Sequence, residues 1–235
     1  MKSIRALSRL LFFALYTIVR TAEVVIASKI WGIDWDRSLR VRRSFVRFLL
    51  PRIGVRLHIE GIAPDYPCLI VGNHRSYLDP AFICHEAKAF AVSKAEVAHW
   101  PIIGYGTRVT GTLYLQRESA GSRKYTLDAI EAKLREGWPV VLFPEGTTTS
   151  LPKTGPFKMG SFRLAAQTGY PIVPAAIRYA DPADYWLGDD TFVGHFMRMF
   201  GKKRIEASVS FGPPMRDDNP ERLMLSVKNW IDARI

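Results

Sequence analysis

The sequence predicts an α/β fold, with a mostly parallel or mixed central sheet flanked by helices. Three observations carry this reading. Short apolar runs recur at 55–60, 67–71, 89–93, 112–116, 139–143, 172–179 and 204–211. Segments at helical spacing separate several of them, and strands alternating with helices favour a parallel or mixed sheet covered on both faces. Hydrophobic residues make up 48% of 235, enough for one large core.

The first quarter of the chain stands apart. Residues 1–60 hold twelve Lys and Arg against four acids, a net +8 of the chain's +11. Such asymmetry predicts an anionic partner surface. Lys2, Arg5 and Arg9 precede a ten-residue apolar run, 10–19, which Arg20 and Glu23 interrupt and 24–27 resumes. The run alone makes about 15 Å of helix, half of a bilayer core. Arg20 and Glu23 can pair at i,i+3.

A second segment, 37–50, repeats Arg37, Arg40, Arg43 and Arg47 among Leu39, Val41, Phe45, Val46, Phe48, Leu49 and Leu50, and Pro51 follows. The pattern predicts an amphipathic basic helix at headgroup level, arginines on phosphates. Trp31 and Trp35 suit a membrane interface. Residues 1–54 are therefore expected to form a membrane-associating helical hairpin on the cytoplasmic face of an anionic membrane surface, monotopic or peripheral. Ordinary packing of both helices on the core is the alternative. A secretory signal fits less well, because no Ala-x-Ala site follows. Nucleic acid is not expected as a partner, since the arginines alternate with large aliphatics and no binding module is present.

Residues 55–235 form the second expected domain. The stretch 55–60 alternates Val-Arg-Leu-His-Ile-Glu, and Gly61, Pro64 and Pro67 mark the turn after it. A buried strand follows at 67–71, then a helix near Ser76, then strands at 89–93 and 112–116. Residues 122–135 read as a helix closed by Gly137, and 160–168 as another ended by Gly169. Asn219 as N-cap and Pro220 at the first helical position open the last helix. Cys68 and Cys84 fit no zinc or redox spacing and read as buried reduced thiols.

Chemistry gathers where strands end. Asn73 and His74 follow strand 67–71, and Asp79 lies five residues past the histidine. An imidazole with a carboxylate can activate a hydroxyl. On a continuous helix the two would point about 140° apart. His74 must therefore precede the helix and Asp79 sit in its first turn. Phe143-Pro144-Glu145-Gly146-Thr147 ends strand 139–143, so two strand ends converge on one cleft. Strand 112–116 runs into Arg117, a suitable anion clamp. Pro174 stands inside an apolar run, where a central strand disfavours it. His58, His85, His99 and His195 lack such neighbours and read as structural or surface.

Four blocks, Asn73–Asp79, Gly111–Arg117, Phe143–Thr147 and Val173–Ala176, resemble in order and spacing the glycerolipid acyltransferase family that includes 1-acylglycerol-3-phosphate O-acyltransferases. Ser93-Lys94-Ala95-Glu96, Pro101 with Gly104, and Phe157-Lys158-Met159-Gly160 are similar too. The resemblance covers about residues 55–215. It implies transfer of a fatty acyl group from acyl-CoA or acyl carrier protein to a lysophospholipid hydroxyl, with 1-acylglycerol-3-phosphate giving phosphatidic acid. His74 is the implied general base and Asp79 its orienter. Arg117 is the implied phosphate ligand, with Lys94 a second. Glu145, Gly146, Thr147 and Asn73 would shape the acceptor site, and Pro174 its wall. No cofactor and no metal are implied, and no acyl-enzyme, in keeping with the lack of a Gly-x-Ser-x-Gly elbow. Another lysolipid such as lyso-ornithine lipid is the alternative acceptor. An idle lipid-binding protein is the non-enzymatic alternative.

Overall fold

The computed structural model describes residues 1–100, 103–115, 120–188 and 190–235, without the side chains of 120–123. Its strands are β1 (Val55–Glu60), β2 (Leu69–Gly72), β3 (Phe90–Lys94), β4 (Thr112–Leu115), β5 (Val140–Leu142), β6 (Ile172–Tyr179) and β7 (Ile205–Phe211). They form one sheet in the order β1-β7-β6-β2-β5-β3-β4. Every neighbouring pair is parallel except β6 and β7. The sheet is therefore mixed, with β1 and β7 running against the other five.

Burial follows position in that order. Every residue of central β2 and β5 is buried, which explains why both read as unbroken apolar runs. Edge strand β1 is buried or half-buried at alternate positions, hence its polar-apolar alternation. Successive residues of β2 feed opposite layers. Ile70 faces a core shared by α2 (Trp35–Arg52), α3 (Asp79–Glu86) and α7 (Phe192–Phe200). Leu69 and Val71 face one built with α5 (Ala120–Arg135), α6 (Gly160–Thr168) and α8 (Pro220–Asp232). Burying one such side chain stabilises by about 1.5–3 kcal/mol, so helices on both faces are what an all-apolar strand demands.

The N-terminal helices pack on this body. Helix α1 (Lys2–Trp31) is continuous through the interruption at Arg20 and Glu23, whose side chains pair at 2.8 Å. Ala6, Thr17, Val24 and Ala27 face inward and are buried. Arg5 donates to the Gly201 carbonyl and Arg9 to those of Phe200 and Lys202, so both close the end of α7.

Helix α2 departs from the sequence expectation. Leu39, Val46, Leu49 and Leu50 are buried in the core instead of facing acyl chains. Arg47 donates to the His85 carbonyl and pairs with Glu86, and Arg43 reaches the Glu86 carbonyl. Arg43 and Arg47 thus cap the negative end of α3, while Arg37 bonds the Gly32 carbonyl and Arg40 pairs with Asp36. Trp35 packs on Phe90 at 5.2 Å. Phosphate contact and helix capping ask for the same side chains at the same spacing, so the sequence pattern alone does not tell them apart.

The apolar stripe left outside belongs to α1. Ile4, Leu7, Leu11, Leu15, Ile18, Ile26 and Ile30 are each at least 50% exposed and recur at helical spacing. The helix is long and apolar enough to cross a membrane.

Candidate active site

Parallel neighbours β2 and β5 end side by side, and β3 lies beyond β5. The segment after β2 carries His74, the one after β5 carries 143–147, and β3 ends at Lys94. Helix α3 begins at Asp79, with Leu78 as an N-cap that makes no side-chain cap bond. The Asp79 carboxylate caps the loop before it instead. Its Oδ2 accepts from Arg75 N at 2.5 Å, Ser76 N at 2.8 Å and His74 Nδ1 at 2.8 Å. Its Oδ1 accepts from the Tyr179 hydroxyl at 2.6 Å.

Asp79 is fully buried, and four donors suit a carboxylate, which only accepts. Burial first, then the adjacent Asp79 carboxylate, hold the Tyr179 phenol well above its ordinary pKa, which keeps the proton it donates. With Nδ1–H committed to Asp79, the neutral imidazole has Nε2 as its acceptor. His74 lines the large cavity on this side of the sheet.

The second segment holds the first. The His74 ring stacks on Phe143, with centroids 4.5 Å apart. Glu145 Oε1 accepts from His74 N and its Oε2 from Gly155 N, both at 2.8 Å. The His74 carbonyl accepts from Thr149 N. Buried Arg75 donates to the carbonyls of Thr149 at 2.7 Å and Leu151 at 2.8 Å. Gly146 turns the chain with φ +74°, where any side chain is strained by about 1–2 kcal/mol.

The predicted residues divide accordingly. His74, Lys94, Gly146 and Thr147 line the cavity. Asp79 and Glu145 lie one layer behind, bonded to His74. Asn73 does not reach the cavity. It is fully buried, and its amide bonds the Ile177 N–H and carbonyl, continuing the edge of β2 onto β6. Pro174 is not on the cavity wall either. Its carbonyl accepts from Gly212 N beyond the last β6–β7 pair, Ala175 with Phe211, so its missing N–H breaks no ladder bond. Arg117 and Pro101 lie outside the described residues. Sequence reading missed Phe143 and Tyr179 as partners of the pair. Two-residue alternation along β6 puts Tyr179 on the same face as Val173, Ala175 and Ile177, which is the only signal for it.

The cavity holds about 1010 Å³. Tyr77, Trp100, Trp186, Phe192 and Phe196 give it an aromatic wall. Behind that wall His195 is fully buried, its Nδ1 at 3.3 Å from the Tyr77 hydroxyl and its Nε2 on the carbonyls of Asp184 and Tyr185. Burial, with Arg198 nearby, holds its pKa below the usual histidine value. Among the described lining residues the charged ones are Arg20, Arg42, Lys94, Lys158 and Arg163, and none is acidic. This arrangement offers an oriented base, an apolar volume and a cationic lining.

Comparison with known proteins agrees. A family model described as Acyltransferase matches residues 54–178. The lyso-ornithine lipid O-acyltransferase of Pseudomonas aeruginosa is 29% identical over 192 residues, 80% of this chain and 74% of that protein. The protein of the same name from Rhodobacter capsulatus is 30% identical over 188 residues, 75% of this chain and 68% of that one. The chloroplastic 1-acyl-sn-glycerol-3-phosphate acyltransferase LPAT1 of Arabidopsis thaliana is 34% identical over 127 residues, 52% of this chain and 36% of that one. The crystal structure of the 1-acyl-sn-glycerophosphate acyltransferase PlsC from Thermotoga maritima shares the fold, with TM-score 0.71 and 21% identity over 99% of this chain and 95% of that one. With its family model spanning more than half the sequence and its sheet laid out as in that fold, this chain belongs to the acyltransferase family.

Proposed function

We propose that the protein transfers a fatty acyl group from an acyl thioester, acyl-CoA or acyl carrier protein, to the free hydroxyl of a membrane lysolipid, and that the acceptor is 1-acylglycerol-3-phosphate. The His74 Nδ1 to Asp79 Oδ2 bond at 2.8 Å, with Nε2 left as acceptor beside an apolar cavity, carries this reading. Nε2 takes the hydroxyl proton as the oxygen attacks the thioester carbonyl. The new C–O bond forms, the C–S bond breaks, and the imidazolium returns the proton to the leaving thiolate. Products are an ester and a thiol, and no group beyond the two substrates is consumed. Asp79 fixes the tautomer and stabilises the imidazolium. Glu145 positions the His74 backbone.

An anionic headgroup fits a cavity whose charged lining residues, among those described, are all cationic. Lys94 and Arg117 are the proposed phosphate ligands, and Gly146 and Thr147 are proposed to shape the acceptor site. Lyso-ornithine lipid is the second reading, favoured by the names of two relatives that match most of this chain. The acceptor panel separates them. Phosphatidic acid formed at ten times the rate of ornithine lipid is expected, and the reverse ratio refutes the first acceptor.

The proposed location is the cytoplasmic face of the cell membrane, in one leaflet. Helix α1 is docked along its inner stripe on the body, so the outer stripe is what meets lipid. Residues 1–54 act in this reading as the membrane-facing part of the molecule, and 55–235 as the acyltransferase domain.

A further inference from the structure

Helix α1 has one feature that membrane docking does not explain. Arg20 sits mid-helix, three residues past inward-facing Thr17. Its Nη1 pairs with Glu23, yet its Nε is buried and has no hydrogen-bond partner. Among the described residues no other buried side-chain nitrogen or oxygen is left so. An orphaned buried donor costs about 1–3 kcal/mol, and a helix that only packed or anchored would do better with leucine here.

Arg20 Nε is covered, but the side chain as a whole is 24% exposed, and its surroundings place it. Arg20 lines the same cavity as His74, beside Thr17, Thr21, Gly106 and Thr110. A Cβ at Gly106 would come within 2.9 Å of Thr21 Oγ1, so α1 and helix α4 (Ile103–Val109) touch at this point. Thr17 donates to the Phe13 carbonyl and Thr110 to that of Gly106, each at 2.7 Å. Those hydroxyl protons are used within their own segments. In the same cavity Arg42 is held by the carbonyls of Ala89 and Gly111. Arg20 thus brings to the cavity a partly exposed guanidinium, paired with Glu23 through Nη1 and left unsatisfied at its buried Nε.

We propose that Arg20 is an anion-binding residue of the substrate cavity, the exposed part of its guanidinium receiving a phosphate or carboxylate oxygen of the bound lysolipid. This rests on the acyltransferase reading given above. A phosphate on the acyl donor has the same chemistry, and the test distinguishes the two.

The full chain in detergent micelles, as wild type, Arg20→Gln and Arg20→Met, is titrated with lysophosphatidic acid, with monoacylglycerol of the same chain length, and with acyl-CoA. The expected result is at least tenfold weaker binding of lysophosphatidic acid by both variants, with less than twofold change for monoacylglycerol. Without lipid, Arg20→Met melts at or above the wild-type temperature, because the orphaned donor is gone. In turnover the acceptor KM rises by the same factor, with kcat within threefold. A loss confined to acyl-CoA keeps the anion role and moves it to the donor. Equal loss for charged and uncharged lipid, or a fall in melting temperature that tracks the loss, overturns the proposal. Binding is read without turnover. A wild type that binds lysophosphatidic acid through Arg20 but transfers no acyl group sinks the acyltransferase reading alone.

Discussion

Replacing Asp79 by Asn separates charge from shape at the site. Three donors meet Oδ2 and one, the Tyr179 hydroxyl, meets Oδ1. Asn keeps most bonds by placing its carbonyl oxygen at the three-donor position and turning its amide toward Tyr179, whose hydroxyl then accepts. The loop keeps its course, and His74 keeps Nδ1–H. What disappears is the negative charge facing the imidazolium. For charge centres about 4 Å apart at an effective dielectric of about 20, that attraction is about 4 kcal/mol. At about 1.4 kcal/mol per decade the loss is about 10³-fold in kcat. Charge-assisted bonds become neutral ones, so stability falls by about 1–3 kcal/mol, and the variant still folds. The assay is thiol release from acyl-CoA at saturating lysolipid, with circular dichroism melting alongside. A folded Asp79→Asn enzyme within tenfold of wild type refutes the reasoning.

Other perturbations have defined outcomes. Glu145→Gln turns an amide toward one of two backbone donors, His74 N or Gly155 N, and leaves that donor unsatisfied. Melting should report a loss of about 1–3 kcal/mol, with kcat falling and acceptor KM little changed. Leu11→Asp with Leu15→Asp breaks the outer stripe of α1. Flotation with anionic vesicles should show release of this double variant, whereas high salt should not fully detach wild type, because apolar insertion is not screened. Continued flotation of the variant would rule out the α1 stripe as the docking surface. Burial holds His195 below its unfolded pKa near 6.5. Its stabilising contribution is therefore complete above that value and is lost as pH falls from there toward the lower folded pKa. Melting temperature should drop between about pH 7 and 5, and His195→Gln should flatten that drop; an equal drop in both proteins contradicts it.

The sheet was the most legible part of the fold. Strands over 55–60 and 172–179 and the helix over 160–168 match their predicted limits, because period and punctuation agree there. Helix α7 was not anticipated. Phe192, Phe196, Met199 and Phe200 do recur at helical spacing behind a Thr191 N-cap, but aromatic residues and Gly194 favour other states locally, and packing decides. The helix after His74 starts three residues later than expected, since the Asp79 carboxylate holds residues 74–76 in a loop. Asn73 shows the limit of motif reading. Its place beside His74 suggested substrate contact, while a twofold backbone bond to Ile177, over a hundred residues away in sequence, can be seen only in three dimensions. The same holds for Arg43 and Arg47 of α2, whose partners are the last carbonyls of α3.

The central claim is that His74 is the base that activates a lysolipid hydroxyl. His74→Ala tests it most directly, in an acyl-transfer assay crossing lysolipids with acyl-CoA and acyl carrier protein. A positioned general base contributes about 10²–10⁴-fold, so the predicted result is a loss in that range with lysolipid affinity within about twofold of wild type. Thioester-dependent transfer by the folded variant at the wild-type rate would contradict the account.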